Sequence, residues 1–293
     1  MNIRDFTYLI NLAKTKHFGR AAELSFVSQP TLSVQLKKLE ETLGCQLIER
    51  QGKQAILTEA GRVATQYAEQ ITGHIHELQQ HMQAFHDPLG GDFKIGIFPT
   101  LAPYLLPRII PSIKRHLPCL NLKLFEAVTE TCIQNLKEGT WDAILIADKI
   151  DDANLKGAKL FREKFFLALP KQHKLSKNKV ITARQLPEED ILLLENGHCL
   201  RDQSLEYCSR INKPVHSNFS ATSLETLISM VSLGEGVTFI PELSIKTFKQ
   251  YPIEIKPIQP SPYRDIFLYW RKNSGRVKCA EKFQDIITAD TLF

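Results

Sequence analysis

Apolar positions in the first sixty residues recur at helical spacing. Phe6, Leu9, Ile10 and Ala13 share one face of a predicted helix, with Asp5 near its start. A short second helix is expected around Arg20-Ala21-Ala22-Glu23-Leu24. A third buries Leu32, Leu36, Leu39 and Leu43. Ser28 is placed to cap it, and Pro30 sits in the first turn, where a missing N–H costs nothing. Three short helices with small alanines at the tight crossing predict a helix-turn-helix. Two short runs, 47–50 and 55–57, flank Gln51-Gly52-Lys53 and predict a hairpin, or wing. Residues 1–58 therefore read as a winged helix-turn-helix domain.

Thr58 then caps a long helix. Along it Ala64, Ala68, Ile71, Ile75, Leu78, Met82 and Phe85 recur at spacings of four and three. So narrow a seam fits coiled-coil dimerisation, and packing on its own domain is the alternative. Asp87-Pro88-Leu89-Gly90-Gly91 ends the helical pattern as a hinge, so 59–90 form a linker. From 91 to 293 the pattern changes. Strand-like runs at 93–97, 143–147, 165–169, 191–194, 237–240 and 266–270 alternate with helical stretches. That predicts an α/β domain with a mixed or parallel sheet and crossover helices. Thr100 follows the first of these strands. It suits either a ligand contact at a strand's carboxyl end or a helix cap.

Composition narrows the classes. With 43% hydrophobic and 24% charged residues in 293, the chain is an ordinary globular one of about two domains. No apolar run approaches the roughly 18 residues of a membrane span, and no apolar signal region opens the chain, so it is read as cytoplasmic, with no membrane partner. The net charge of +5 permits an anionic partner without requiring one. Placement says more than the sum. Residues 1–58 hold eight Lys/Arg against five Asp/Glu. Thr31, Ser33, Gln35 and Lys38 project from the third helix, whose N-terminus, with Ser28, Gln29 and Pro30, can face a phosphate. Gln reads adenine in a bidentate way, and Ser or Thr contacts bases or phosphates. Arg4, Arg50 and Lys53 suit backbone phosphates. Each alone is a solvated surface group; together, on this spacing, they point to double-stranded DNA.

Six cysteines, at 45, 119, 132, 199, 208 and 279, include no CxxC pair, and a reducing compartment argues against a disulfide framework. One segment stands apart, Gly197-His198-Cys199-Leu200-Arg201-Asp202-Gln203, with Cys208 following. A thiol at a helix start, beside His198 and two residues before Arg201, is expected to have a lowered pKa. A thiolate reacts with peroxide to a sulfenic acid, which condenses with a second thiol. Nine positions on one helix separate Cys199 from Cys208 by about 13 Å on opposite faces, whereas a disulfide needs Cα atoms within about 7 Å. If the segment is helical when reduced, bonding the pair must unwind it. The plain alternative is two core cysteines on different faces. The spacing is unlike a zinc motif, and no metal or cofactor is expected.

Residues 1–61 resemble the LysR-type transcriptional regulators. The motifs are Phe18-Gly19-Arg20-Ala21-Ala22, Val27-Ser28-Gln29-Pro30-Thr31-Leu32-Ser33, Leu39-Glu40-Glu41-Thr42-Leu43-Gly44, Leu47-Ile48-Glu49-Arg50 and Leu57-Thr58-Glu59-Ala60-Gly61. The cysteine segment, together with Met1-Asn2-Ile3-Arg4-Asp5, Pro103-Tyr104-Leu105-Leu106-Pro107 and Ala221-Thr222-Ser223-Leu224-Glu225-Thr226-Leu227, is similar to the peroxide-sensing members of that family, to about Arg271. The resemblance implies a two-subdomain effector domain of the periplasmic-binding-protein type over 91–293. It implies dimers or tetramers on promoter DNA, hydrogen peroxide as effector, contact with RNA polymerase and an activator role. It makes Cys199 the peroxidatic and Cys208 the resolving thiol. It places peroxide contacts at Thr100, Thr129, His198 and Arg264. Asp202 either orients these groups or forms a helix-surface ion pair. A metabolite-sensing regulator with incidental thiols is the rival. A thiol peroxidase is disfavoured by the helix-turn-helix, and the chain is not read as an enzyme.

Overall fold

The computed structural model describes residues 1–51, 54–186, 191–212 and 220–289. The chain divides into two compact units, residues 1–80 with 138–140, and residues 81–137 with 141–293.

Each helix of the first unit starts on a side-chain cap. The Asn2 side chain accepts the Asp5 N–H, and the Asp5 carboxylate accepts the Asn2 N–H, a reciprocal pair that opens α1 (Ile3–Thr15). His17 Nδ1 accepts from Gly19 and Arg20 to open α2 (Phe18–Leu24). Ser28 opens α3 (Gln29–Leu43), which Gly44 ends at φ 69°. Leu9, Leu12, Ala21, Ala22, Leu32, Leu36 and Leu39 then meet in one core with Leu47 and Ala55 of the wing. Leu43, expected on the buried face, is instead exposed, because the helix stops there. The wing is the antiparallel pair β1 (Ile48–Gln51) and β2 (Gln54–Leu57). One Glu40 carboxylate oxygen accepts the N–H groups of Leu47 and Ile48, tying α3 to the wing.

Thr58 Oγ1 accepts the Gly61 N–H and opens α4 (Glu59–His86). Here only glycine fits, since a Cβ on Gly61 would stand 2.0 Å from the Leu47 carbonyl oxygen. Ala68 and Thr65 are buried, and Ala64 packs on the core of its own unit. The exposed apolar positions of α4 are Val63, Tyr67, Ile71, Leu78 and Met82. The stripe expected from spacing is thus split. Its alanines serve the domain, and the open face begins one residue earlier.

The second unit is α/β. It starts with β3 (Gly91–Ile97), α5 (Ala102–His116), β4 (Leu120–Glu126), α6 (Thr129–Lys137) and β5 (Ala143–Ile146), with the three strands parallel. The long β6 (Leu155–Pro170) follows, then β7 (Ile181–Thr182), β8 (Leu193–Leu194), α7 (Cys199–Arg210), β9 (Ser220–Ala221) and α8 (Leu224–Leu233). The chain closes with β10 (Thr238–Pro241), α9 (Ile245–Phe248), β11 (Ile253–Gln259), β12 (Tyr263–Arg271) and α10 (Val277–Ala289). The main sheet runs β4-β3-β5-β12-β6-β11-β7, with β10 also on β6. β12 is antiparallel to both β5 and β6. Sequence runs located only 165–169 of β6. The stretch 156–164 carries Lys156, Lys159, Arg162, Glu163 and Lys164, so no apolar run marks it.

Two cores share this unit. The larger holds Ile95, Leu105, Ile144, Phe165 and Trp270, and the smaller holds Leu167, Leu169, Ile181, Val237 and Phe239. β6 feeds both, with Phe165 and Ala168 in one and Leu167 and Leu169 in the other. Among the described residues no helix is long and apolar enough to cross a membrane.

Candidate functional site

Helix α7 is positioned by the turn that precedes it. Gly197 has φ +90°, a left-handed conformation open to glycine, and His198 is the extended residue before the helix. Cys199 is therefore the first helical residue, and Cys208 lies in the third turn of the same helix. Both ends of α7 are fastened. Arg201 Nη1 donates to the Leu194 carbonyl at 2.8 Å, and Tyr207 donates its hydroxyl hydrogen to the Pro260 carbonyl at 2.9 Å.

Around Cys199 the structure gathers two of the expected contacts, Thr100 and Arg264. Thr100 is 3% exposed just beyond the end of β3. Its hydroxyl oxygen accepts from Arg264 Nη1 at 2.9 Å, and its carbonyl accepts from Arg264 Nη2 at 3.0 Å. The same Nη1 stands 4.0 Å from the Cys199 sulfur, and the Thr100 side chain hydrogen-bonds Cys199. The guanidinium carbon lies 4.8 Å from the centroid of the Phe98 ring. Thr129 opens α6, and its Oγ1 is buried with no hydrogen-bond partner among the described residues. A buried hydroxyl without a partner is costly, and a bound water or ligand would satisfy it. The residue before it, Val128, lies against the turn at Gly197, where an added Cβ would stand 3.6 Å from its Cγ1. His198 is half-buried beside Cys199. Asp202 is exposed in the same first turn of α7. It lies on the rim of a cleft of about 840 Å³, also lined by Cys199, Gln203, Tyr207, Arg264 and Asp148.

Glu163 was missed in the sequence. It is the direct cross-strand partner of Arg264 on β6, fully buried, with Oε2 2.7 Å from Arg264 Nε. Its other oxygen accepts the Leu243 N–H at 3.0 Å. A lone acidic residue in a charged stretch gives no signal of this, because its partner is far away in the chain.

At the thiol the expected lowering fails. Burial pushes the Cys199 thiol up to about 11, against opposing pulls from Arg264 and the Thr100 hydrogen bond and with a further push from Asp148. Arg264, ion-paired with Glu163, pulls the other way, and burial outweighs it. Burial depresses the pKa of His198, which favours its neutral form. Arg201 is committed to a backbone carbonyl. His198 and Arg201 are therefore not what acts on the sulfur; Arg264 is the cation that pulls its pKa down. Cys208 is 1% exposed in the smaller core, and burial alone pushes it up to about 11 as well. Neither cysteine is in a disulfide.

In the first unit, the expected nucleic-acid residues are spread over α1 (Arg4), α3 and the turn before it, and the wing. Arg4, Ser28, Gln29, Pro30, Thr31 and Lys38 are exposed, and Ser33 and Gln35 are half-buried. The hydroxyls of Ser28 and Thr31 bond each other at 2.7 Å while Ser28 caps the helix. Val34, absent from the sequence-based set, is an exposed apolar residue on the same helix. Lys53 and the side chains of Arg50 and Phe85 lie outside the described residues.

Residues 3–62 match the family described as bacterial regulatory helix-turn-helix protein, lysR family, and residues 86–291 match the LysR substrate binding domain. The chain belongs to the LysR family. Among LysR relatives, a hydrogen peroxide-inducible genes activator of Haemophilus influenzae is 37% identical over 280 residues, covering 94% of this chain and 92% of the relative. Full-length OxyR of Pseudomonas aeruginosa, carrying a cysteine-to-aspartate substitution, superposes with a TM-score of 0.76 at 34% identity, covering 98% of this chain and 94% of that one. A cysteine variant of Corynebacterium glutamicum OxyR with hydrogen peroxide bound superposes with a TM-score of 0.67 at 28% identity, covering 99% and 92%. The LysR architecture accounts for both units, a winged helix-turn-helix followed by an α/β effector domain of the periplasmic-binding-protein type. Its members regulate transcription and are not enzymes.

Proposed function

We propose that this LysR-family chain is a peroxide-responsive transcriptional regulator whose switch is the pair Cys199 and Cys208. The observation that carries the reading is a buried thiol beside Arg264 and Thr100, on one helix with a second thiol that sits in a different core. Names of relatives that include peroxide or OxyR support it.

The Thr100 hydroxyl and the unpartnered Thr129 hydroxyl each donate and accept, so together they hold the two oxygens of hydrogen peroxide. The raised thiol gives up its proton as peroxide binds. Sulfur attacks one oxygen, the S–O bond forms, and the O–O bond breaks. Hydroxide leaves with the proton as water. Arg264 faces the charge that builds on the departing oxygen. His198 completes the wall of the site, and Asp202 borders its approach.

Cys199 is now a sulfenic acid. Cys208 attacks its sulfur, the S–S bond forms, and the hydroxyl leaves as a second water. Along a helix the two Cα atoms stand about 13 Å apart, beyond the roughly 7 Å a disulfide spans. Resolution therefore breaks α7 and withdraws Cys208 from the smaller core. Refolding changes how paired effector domains pack, and so how the helix-turn-helix heads meet promoter DNA.

The DNA contacts are assigned to Arg4, the residues from Ser28 to Lys38 named above, and the wing residues Arg50 and Lys53. Dimerisation is assigned to α4 through Ile71, Ile75, Leu78, Met82 and Phe85, with Val63 and Tyr67 extending that face. Dimers pair into tetramers, RNA polymerase is the partner in activation, and cytoplasmic reductants reset the disulfide.

The test is non-reducing peptide mapping after one equivalent of hydrogen peroxide. A Cys199–Cys208 linkage is expected, and its absence ends the switch reading. The cleft of about 840 Å³ favours a second reading, a metabolite effector. In that case Cys199→Ser would leave regulation intact.

A further inference from the structure

Between Thr31 and Lys38 on the outward face of α3, a single apolar side chain interrupts the polar ones. Val34 is 52% exposed and stands outside the core of the first unit. At 3.6 residues per turn it points away from the buried Leu32, Leu36 and Leu39. Thr31, one turn before it, and Lys38, one turn after it, are exposed on the same face, and Gln35 beside it is half-buried. Folding does not account for a valine here. The position packs no core, and a β-branched residue is a poorer helix former than alanine, lysine or glutamine. The helix belongs to a segment that matches the LysR helix-turn-helix family, and its neighbouring side chains suit bases and phosphates. The major groove of DNA exposes one apolar group, the C5 methyl of thymine.

We infer that Val34 is a specificity-determining residue that reads a thymine methyl in the major groove. The inference rests on the assignment of the DNA contacts to α3. Its polar neighbours cannot do this task. A hydroxyl or an ammonium set against a methyl loses water and gains no partner, whereas two apolar groups leave water together. Gln35 supplies the complement. Glutamine pairs in a bidentate way with N6 and N7 of adenine, the base opposite thymine. An A·T pair thus offers a polar edge on one strand and a methyl on the other, and adjacent positions of α3 carry a side chain suited to each. Branching at Cβ holds valine to one favoured rotamer in a helix, so its methyls are presented with little freedom to lose. Val34 also borders a groove of about 530 Å³ with Phe18, Lys37, Glu40 and Ile48. A protein segment in that groove is the competing occupant. DNA is favoured because Val34 continues the stripe of Thr31 and Lys38.

The experiment uses the full-length protein and duplexes that it selects from a random pool. Each thymine of the selected site is replaced in turn, in both half-sites, by deoxyuridine, which lacks only the methyl. Affinities are read by fluorescence anisotropy for the unsubstituted protein, Val34→Ala and Lys38→Ala. At one thymine position the unsubstituted protein should lose about fourfold per half-site, the worth of one methyl group. Val34→Ala should bind the thymine duplex more weakly by a similar factor and should not distinguish thymine from deoxyuridine there. Its helical signal in circular dichroism should be retained, since alanine is the better helix former. Lys38→Ala should weaken both duplexes alike, keep the distinction and flatten the salt dependence. A thymine preference unchanged in Val34→Ala, or no thymine sensitive to loss of its methyl, overturns the inference. If Lys38→Ala still weakens binding, the DNA reading of α3 stands. DNA binding that neither substitution alters overturns the two together and returns Val34 to the groove.

Discussion

The two ends of α7 set the same side chain in unlike surroundings. At the first turn, Cys199 faces a buried ion pair, a threonine hydroxyl and a cleft. In the third turn, Cys208 faces Tyr207, with Phe239 stacked edge-on to that ring, and the aliphatic residues of the smaller core. Burial raises both thiols to about 11, so acidity does not separate them. Their neighbours do. Only Cys199 has polar groups able to hold an oxidant and a guanidinium to meet the leaving charge. Only Cys208 is sealed until the helix opens. Chemistry is thus assigned to one end and structural change to the other.

The sharpest way to break this contrast is through the ion pair. Removing one partner of a buried pair strands the other and costs about 3–5 kcal/mol. Glu163→Gln and Arg264→Gln should both lower the melting temperature in a calorimetric scan. Their effects on Cys199 should diverge. Glu163→Gln frees the guanidinium to act on the sulfur, lowers the thiol pKa and speeds alkylation at neutral pH about tenfold for each unit of lowering. Arg264→Gln should slow it. Equal alkylation rates in the two variants would remove Arg264 from the site's electrostatics.

Proton linkage tests the shared half of the comparison. A thiol ionising near 8.5 when unfolded and about 11 when folded stays protonated in the native state over that interval. Its stabilisation is complete below about pH 8.5 and is lost as pH climbs to about 11, roughly 3 kcal/mol per thiol at most. Denaturant midpoints should therefore fall across that window, and Cys208→Ala should flatten the fall. Within the folded protein, alkylation of Cys199 should keep rising about tenfold per pH unit to about pH 10.

Cys208→Ala should cost only about 1 kcal/mol in the smaller core, yet abolish the Cys199–Cys208 linkage in peptide maps. The smallest effect belongs to the fastening at the far end of α7. Tyr207→Phe removes one hydrogen bond to Pro260, about 1 kcal/mol, and should speed disulfide formation about fivefold in a quench-and-map time course. No change would mean that the far end of α7 opens before resolution rather than during it.

Local rules were legible in the sequence, and sums over the fold were not. Ser28, Thr58 and the turn at Gly197 are short-range signals, and each stands where spacing placed it. Thr100 and Arg264 were found through resemblance, and the structure joins them at Cys199. The rest depends on tertiary pairing. Glu163 gains meaning only from its register with Arg264 on another strand. The thiol's direction of shift is a balance of burial against partners, and adjacent residues in the chain do not report it. On α4 the stripe read from spacing holds both buried alanines and exposed positions such as Ile71, Leu78 and Met82. Small residues such as Ala64 and Ala68 satisfy an apolar stripe whether they meet a partner or their own domain.

The Glu163–Arg264 pair has a consequence for how such a sensor changes over generations. Neither member can be exchanged alone without leaving a bare charge in the interior. Drift at one position is therefore blocked until the other moves too. Lineages that keep this chemistry should hold both residues, and lineages that abandon it should lose both together. The pair is then a marker by which sensing members can be told from their silent descendants.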